Sequence, residues 1–444
     1  MSRTQAILAA ALIGAGTLVV TAEPASAASG GTFTALSYNV AGLPEIVSSA
    51  PTPRASATTA IGRRLAAYDI VHVQEDFNYH ANLYAADTHP VRTPTSGGAA
   101  IGSGLNTLSN YSYDADDFER VRWNSCQLDS GDCLTPKGFT FMRQRLAEGT
   151  YVDLYNIHTN AGTNDGDLAS RADNLNQLSA FIATHSAGNA VIVMGDSNTR
   201  YTRAQDTIAE FTAANGLTDA WVKVERAGVA PVKGTDPLLC DGTAITDTCE
   251  VVDKVLYRGS RLVTLDATDY HNEHAAFLED GTGLMLSDHD PVSVKFAWSA
   301  NAAYQQSEQF GGPHGDYYTD IDRVPAAARV RAISLRAGSR VDQLGLTLTT
   351  GTVLGHGGTG GTAKSLTLAD GEYVTAVKLC QGRSSNTTRI FYAEFTTTAG
   401  RTLSGGTTTA DCVTRTAPGG WQVAGFHGRA GDEVDKIGFI YTKR

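Results

Sequence analysis

VIVMGDSNTR, residues 191–200, is the stretch that decides the fold. Val191, Ile192, Val193 and Met194 form an unbroken apolar run, as in a strand buried on both faces, and Gly195 ends it. Asp196 and Asn198 follow, two residues apart. At the carboxyl end of a strand, a loop can aim both side chains into one cleft while the sheet holds the backbone still. A carboxylate beside a carboxamide suits a hard cation or a phosphate-bound water, although Gly, Asp, Ser and Asn are equally the residues of an Asx turn. Recurrence favours the first reading.

Outward from this stretch, apolar or alternating runs keep ending in polar groups. TFTALSYNV (32–40) alternates and delivers Asn39 ahead of the breakers Gly42 and Pro44; DIVHVQ (69–74) is a buried strand that stops at Glu75 and Asp76. GLNTLS (104–109) and KGFTFMRQR (137–145) are further strands, and YVDLYNI (151–157) runs into His158. Residues 61–68 look helical, 171–182 place Ala172, Leu175, Leu178, Phe181 and Ile182 at helical spacing, and 211–221 form a weaker helix followed by a loop. VVDKVL (251–256) carries Asp253, and Asp288 and His289 stand directly before the last strand, PVSVKF (291–296). Strands alternating with helices imply layers with a sheet inside, and the residue types that bind metals gather at strand ends. Each is ordinary alone; together they are hard to assign to chance.

The chain of 444 residues is long enough for two cores. Arg3, the apolar stretch 7–20 and Ala25-Ser26-Ala27 have the pattern of a secretory signal, so residues 1–27 are set aside, and no other stretch is long enough to span a membrane. The segment contains one Arg and one Glu, so the net charge of −11 is unchanged without it. An acidic surface disfavours non-specific capture of long nucleic acid without excluding a nuclease. Six cysteines fall as local pairs, Cys126 with Cys133, Cys240 with Cys249 and Cys380 with Cys412. That suits disulfides in a secreted, extracellular protein, and the lack of a Cys-x-x-Cys argues against zinc.

SYNVAGLP, DIVHVQED, GLNTLS, NIHTNAG, VIVMGDSNTR, EVVDKVLY and LSDHDPV resemble, in this order, the endonuclease/exonuclease/phosphatase superfamily over about residues 31–298. The resemblance implies an α/β four-layer sandwich, deoxyribonuclease-like, with two packed sheets flanked by helices and a divalent-metal phosphodiesterase or phosphatase activity. It assigns Asn39, Glu75 and Asp288 to Mg²⁺, with Mn²⁺ or another divalent cation as alternatives. Asp196 and Asn198 would orient or deprotonate the attacking water, His289 would act as base or phosphate donor in a tautomer set by Asp253, and His158 would protonate the leaving oxygen. NVAGLP, the loop from Trp123 through Cys126 and Cys133, and the pair Lys137-Gly138 look most like the secreted sphingomyelinase/phospholipase C branch, in which Lys137 would meet the substrate phosphate. A departure is that residues 257–287 offer only Tyr270, Phe277, Leu284 and Met285 where membrane-gripping members expose an aromatic hairpin. The alternative enzyme is an extracellular nuclease using Arg200, Tyr201 and Arg203. The alternative of another class is a lectin with a non-catalytic scaffold domain.

SANAAYQQSEQ (299–309) is small and polar and is expected to be a linker that couples its neighbours little. Beyond it Gly and Thr become frequent, helical periodicity vanishes and short strands follow, with glycine pairs at 311–312, 357–358 and 419–420 hinting at a weak internal repeat. FGGPHGDYYTDID, HGGTGG and GFHGRAGDEVDKIGFIY resemble the jacalin-type lectins over most of residues 308–442. That resemblance implies an all-β β-prism in which Gly431 and Asp435, with Asp432 and Glu433 between them and Gly312 near the domain start, bind sugar hydroxyls. The expected organisation is a signal peptide at 1–27, a catalytic domain at 28–298, a linker at 299–309 and a lectin domain at 310–444. The expected protein is a monomer that acts on a phospholipid or other phosphodiester and binds glycans.

Overall fold

The computed structural model describes residues 29–128, 131–242 and 244–444; the expected signal peptide lies outside them. Two six-stranded sheets build the first half. One runs, edge to edge, through Val263–Asn272, Val292–Ala300, Gly30–Asn39, Ile70–Gln74, Asn106–Ser109 and Val91–Arg92. The other runs through Glu119–Arg122, Gly138–Ala147, Thr150–His158, Ala190–Asp196, Asp253–Arg258 and Thr218–Asp219. Each sheet is mixed: Gly30–Asn39 lies parallel to Ile70–Gln74, Thr150–His158 lies parallel to Ala190–Asp196, and the other pairings are antiparallel.

Strand alternation explains the layering. In Gly30–Asn39, Phe33 and Ala35 join the core between the sheets, whereas Leu36 and Tyr38 pack with Ala57, Ile61 and Leu65 of the helix Arg54–Leu65. On the outside of the second sheet the helix Asp165–His185 contributes Leu175, Leu178 and Ile182, the residues whose spacing predicts it. Its N-terminus is closed by a capping box between Asn164 and Asp167. The order is therefore helices, sheet, sheet, helices, as expected. Asn39 shares the odd-numbered face of Phe33 and Ala35, so the alternation that fills the core also carries Asn39 to the mouth between the sheets.

The second half is all β. It holds a five-stranded antiparallel sheet whose central strands are Trp421–Ala430 and Val434–Lys443, and two four-stranded antiparallel sheets centred on Val330–Ala337 with Val341–Leu348 and on Val374–Ser384 with Thr387–Thr397. Three sheets in a prism match the repeat hinted at by the glycine pairs. Disulfides join Cys126 to Cys133, Cys240 to Cys249 and Cys380 to Cys412, with Cα separations of 5.4, 5.5 and 4.0 Å.

Residues 299–309 are not the slack connector that their composition suggests. Tyr304–Gln306 forms an edge strand on Val434–Lys443, Tyr304 is buried, and Glu308 accepts hydrogen bonds from Arg145 Nε (2.8 Å), Gly149 N (3.1 Å) and the Tyr151 hydroxyl. Around it the halves interlock. Lys436 is buried against Asp117 (2.8 Å) and bonded to Asp114, Arg429 reaches Asp117 (3.3 Å), and Arg261 donates to the carbonyls of Ile321 (2.6 Å) and Val324 (3.2 Å). The Tyr317 ring lies against Phe141 and His185, so one apolar core continues from the sandwich into the prism. Small polar residues fit a tether, but a single aromatic and a single glutamate are enough to dock one when complementary partners are waiting.

Buried ion pairs are costly to break on one side. Asp117→Ala leaves Lys436 and Arg429 facing each other with Asp114 alone, and should destabilise the whole protein by about 3 kcal/mol. Scanning calorimetry should show a fall of several degrees in melting temperature; an unchanged melting curve would mean that the interface contributes nothing.

Candidate active site

Asp196 is the centre of the site because two register pairings meet on it: His158 is its partner on the parallel neighbour and Asp253 its partner on the antiparallel one. Directly paired residues project on the same face of a sheet, so the three side chains are delivered together. The facing sheet supplies Asn39 and Glu75. Asn39 Nδ2 donates to Glu75 Oε1 and to Asp196 Oδ2, both at 3.2 Å, and thereby bridges the sheets. Glu75 leaves its strand at φ +55°, a left-handed conformation unusual for a side-chain-bearing residue. The Glu75 carbonyl accepts from Gly42 N (2.9 Å), and a Cβ at Gly42 would collide with that oxygen, so the close approach requires glycine. Asn198, at φ +50°, turns its backbone N–H onto Asp196 Oδ1 (3.0 Å) and its side chain onto the Thr159 carbonyl (3.3 Å).

His289 closes the far side. Its Nδ1 lies 2.9 Å from Asp253 Oδ2 and its Nε2 3.6 Å from Asp196 Oδ2. Burial alone would disfavour its charge, but Asp253 and Asp196 outweigh burial and hold the imidazolium well above its usual range. Burial pushes the Asp253 carboxyl up against the pull of His289; at Asp196 burial is overcome, first by His289, and the carboxyl is held below its usual value. The three groups are one coupled proton-holding unit.

His158 departs from the role that the resemblance implies. It is buried beneath Asp196, Nε2 at 3.3 Å from Asp196 Oδ2, and Nδ1 has no hydrogen-bond partner among the described residues. Burial, followed by the charge of Lys137, drives it down to about 3, so at neutral pH the ring is uncharged and does not arrive with a spare proton for a leaving group. Its neutral N–H is instead placed to steady Asp196.

A divalent cation fits one side of the cleft better than the other. Asp196, Asp253 and His289 bring ligand-type atoms within 4.8 Å of one another, but the His289 imidazolium already offsets part of the negative charge there. Glu75 has no such partner in contact. Burial raises its carboxyl, Lys137 and the Asn39 amide work against that, and the negative charge of Asp288 raises it further. A carboxylate raised by burial and by a second negative charge at a cleft mouth is what a hard cation relieves. Asn39 is turned away from an oxygen-donor role, because its Oδ1 takes the Ala41 N–H at 3.0 Å and leaves the amide nitrogen facing the carboxylates. Asp288 is exposed beside Ser287, whose hydroxyl donates to the Asn39 carbonyl at 2.6 Å.

Lys137 sits near these groups but is bonded to Asp132, whose other oxygen accepts from Ala161 N (3.1 Å). Sequence reasoning misses Asp132, which lies inside the Cys126–Cys133 loop, and marks Trp123 only as the start of that loop, without the hydrogen bond of 2.7 Å that its indole donates to the His158 carbonyl. Arg200, Tyr201 and Arg203 are spent internally. Arg200 donates to the Glu250 carbonyl (2.7 Å), Tyr201 is buried with its hydroxyl on Asp219 (3.1 Å), and Arg203 is bonded to Asp206 (2.8 Å) and the Asn198 carbonyl (3.0 Å). They do not form a strip for a nucleic-acid strand. Of Tyr270, Phe277, Leu284 and Met285, the first two are buried, and Leu284 is the one large hydrophobe exposed among the described residues of 257–287.

In the second half, Gly312 N donates to the Asp435 carbonyl (2.9 Å) and Gly431 N to the Glu433 carbonyl (3.0 Å), which draws the two glycine segments together. Asp435 is 3% exposed, and burial pushes its carboxyl up. Glu433 is committed to Arg340 (2.8 Å) and Arg389 (2.6 Å), so it shapes the loop, while Asp432 is exposed.

Residues 46–226 match the family model described as endonuclease/exonuclease/phosphatase family 2, and residues 307–440 match the jacalin-like lectin domain. The sphingomyelinase of Mycobacterium bovis is 42% identical over 278 residues, covering 61% of this chain and 54% of that protein. The chain therefore spans about half the length of the curated relatives it matches. Among solved structures, beta toxin from Staphylococcus aureus has 15% identity and a TM-score of 0.41, covering 59% of this chain and 99% of that one. Wild-type Malaysian banana lectin has 26% identity and a TM-score of 0.28, covering 31% of this chain and 98% of that one.

Proposed function

We propose that this chain, which carries an endonuclease/exonuclease/phosphatase-family domain followed by a jacalin-like lectin domain, is a secreted divalent-metal phosphodiesterase of sphingomyelinase type whose second domain binds glycans. Residues 28–298 are the catalytic domain and 310–444 the lectin domain. The observation that carries the reading is the convergence of Glu75, Asn39, Asp196, Asp253, His158 and His289 from both sheets on one cleft.

Glu75 and Asp288 would hold the cation, Mg²⁺ by the hardness of their oxygen donors, and when bound it neutralises the charge of the phosphodiester. Asp196 would orient the attacking water and take its proton as the water oxygen bonds to phosphorus, and the His289 imidazolium, its ring fixed by Asp253 through Nδ1, would give its Nε2 proton to the oxygen that leaves. Lys137, released from Asp132 or acting across it, offers a positive charge to the phosphate. Three disulfides support an oxidising, extracellular setting. A lone exposed leucine where a hairpin would grip lipid favours short-chain or dispersed substrate over packed bilayers. The internal commitments of Arg200, Tyr201 and Arg203 weigh against the nuclease reading.

The test is an assay of the whole protein on sphingomyelin, phosphatidylcholine and single- and double-stranded DNA, with Mg²⁺ and with chelator. Release of phosphocholine from sphingomyelin, abolished by chelator and restored by Mg²⁺, is the expected result. Equal activity in chelator would remove the metal, and cleavage of DNA alone would replace the substrate.

A further inference from the structure

Asp117 of the catalytic domain grips the foot of the Gly431–Asp435 loop from outside the lectin domain. That loop joins the strands Trp421–Ala430 and Val434–Lys443, and the last regular pair beneath it is Arg429 opposite Lys436, because the ladder slips between Arg429 and Ala430. Directly paired residues project on one face of a sheet, so two positive charges stand side by side at the foot of the hairpin, an arrangement that by itself drives the strands apart. Both meet one carboxylate. Asp117, 1% exposed, accepts from Lys436 Nζ on Oδ2 at 2.8 Å and from Arg429 Nη1 on Oδ1 at 3.3 Å, and Asp114 adds a second contact to Lys436.

The shape of the loop depends on where these two cations sit. Lys436 follows Asp435 in the chain and pairs on its other side with Gly311, whose neighbour Gly312 donates to the Asp435 carbonyl at 2.9 Å. Arg429 donates from Nε to the Gly315 carbonyl at 3.1 Å, and Gly315 (φ +74°) packs so closely on Asp435 that a Cβ there would run into the Oδ2 atom. A shift of either cation therefore passes to both glycine segments and to the carboxylate assigned to sugar hydroxyls. The prism itself does not call for facing cations: at the matching slip in one of the four-stranded sheets, between Arg336 and Ala337, Arg336 stands opposite Gln343. The repulsion between Arg429 and Lys436 is a cost that the carboxylates of the catalytic domain offset.

We propose that Asp117 is a positioning residue for the sugar loop, so that the lectin domain binds glycan at full strength only while seated on the catalytic domain. Coupling of this kind is reciprocal: what the seat gives to sugar affinity, bound sugar returns to the seat. The seat adjoins the half that carries the chemistry. Asp117 leads within two residues into the edge strand Glu119–Arg122, whose far end, Arg122, pairs with Gly138 beside Lys137. This inference rests on the reading of the second domain as a sugar binder.

The experiment titrates the whole protein, labelled with ¹⁵N-glycine, with methyl α-glycosides of mannose, glucose and galactose and follows the amide resonances of Gly311, Gly312 and Gly315. Asp117→Asn, which keeps the size of the side chain and removes its charge, should weaken binding at those resonances by at least about tenfold. Adding Lys436→Gln leaves one cation at the foot of the hairpin and should bring affinity back to within about threefold of the native value, a rescue that general damage to the fold does not produce. Native affinity in Asp117→Asn, or a loss that Lys436→Gln does not repair, would overturn the proposal and leave the lectin reading intact; resonances that stay still in the native protein would overturn both. Hydrogen exchange gives the reciprocal readout with no substitution. Saturating sugar should slow exchange at the amides of Asp117 and Phe118, which donate to the carbonyls of Asp114 (3.1 Å) and Ala115 (3.3 Å), by at least about threefold. Unchanged exchange there in sugar-bound native protein would overturn the coupling even if Asp117→Asn fails to fold.

Discussion

Glu75→Gln should lower turnover on sphingomyelin by at least about a hundredfold while leaving the melting temperature within a degree or so of the native protein. Glutamine has the shape of glutamate, can still accept the Asn39 amide hydrogen bond (3.2 Å) and takes the same left-handed backbone, so packing and the bridge between the sheets survive. What it lacks is the negative charge. Beside Asp288 that charge disfavours the free site and favours a bound cation, so its removal acts on metal affinity and on phosphate neutralisation together. The measurement pairs steady-state rates at saturating Mg²⁺ with calorimetric titration of the ion. A fall in rate that excess Mg²⁺ partly repairs places Glu75 at the metal, whereas near-native turnover without added ion would remove it from the site.

The sequence made the frame of this cleft legible where one physical signal acted alone. The Val191–Met194 run could only be a buried strand, and period-two alternation in residues 32–40 places Asn39 on the face of Phe33 and Ala35. Strand Val263–Asn272 escapes a reading by periodicity because a bulge between Ala267 and Asp269 breaks its alternation and charged residues fill its outer face. The exposed prism strands Thr362–Thr367 and Asp411–Thr416 carry too little apolar side chain to announce themselves. Within the site, residue type named the members but not their states. That Asn39 offers its nitrogen, that burial keeps His158 uncharged and that Glu308 docks the connector all depend on partners far apart in the chain, which no local pattern encodes.

His289→Ala should cost as much as the loss of Glu75, at least about a hundredfold in turnover, but by another route. The ring touches both Asp253 (2.9 Å) and Asp196 (3.6 Å), and its positive charge favours the ionised form of each buried carboxylate. Without it, Asp196 loses the largest of the influences that hold its carboxyl down, and Asp253 loses its one strong partner. The variant should therefore be impaired even at saturating Mg²⁺, unlike Glu75→Gln. Asp253→Asn makes the complementary point. It keeps a hydrogen-bonding group at Nδ1 but removes the charge, so it should reduce turnover less than His289→Ala, and the double variant should be no worse than His289→Ala alone, because Asp253 acts through the ring. Rates for the two single variants and the double variant form a closed cycle. Additive losses would mean that Asp253 and His289 work independently and that the proton is not held by the Asp253–His289–Asp196 chain.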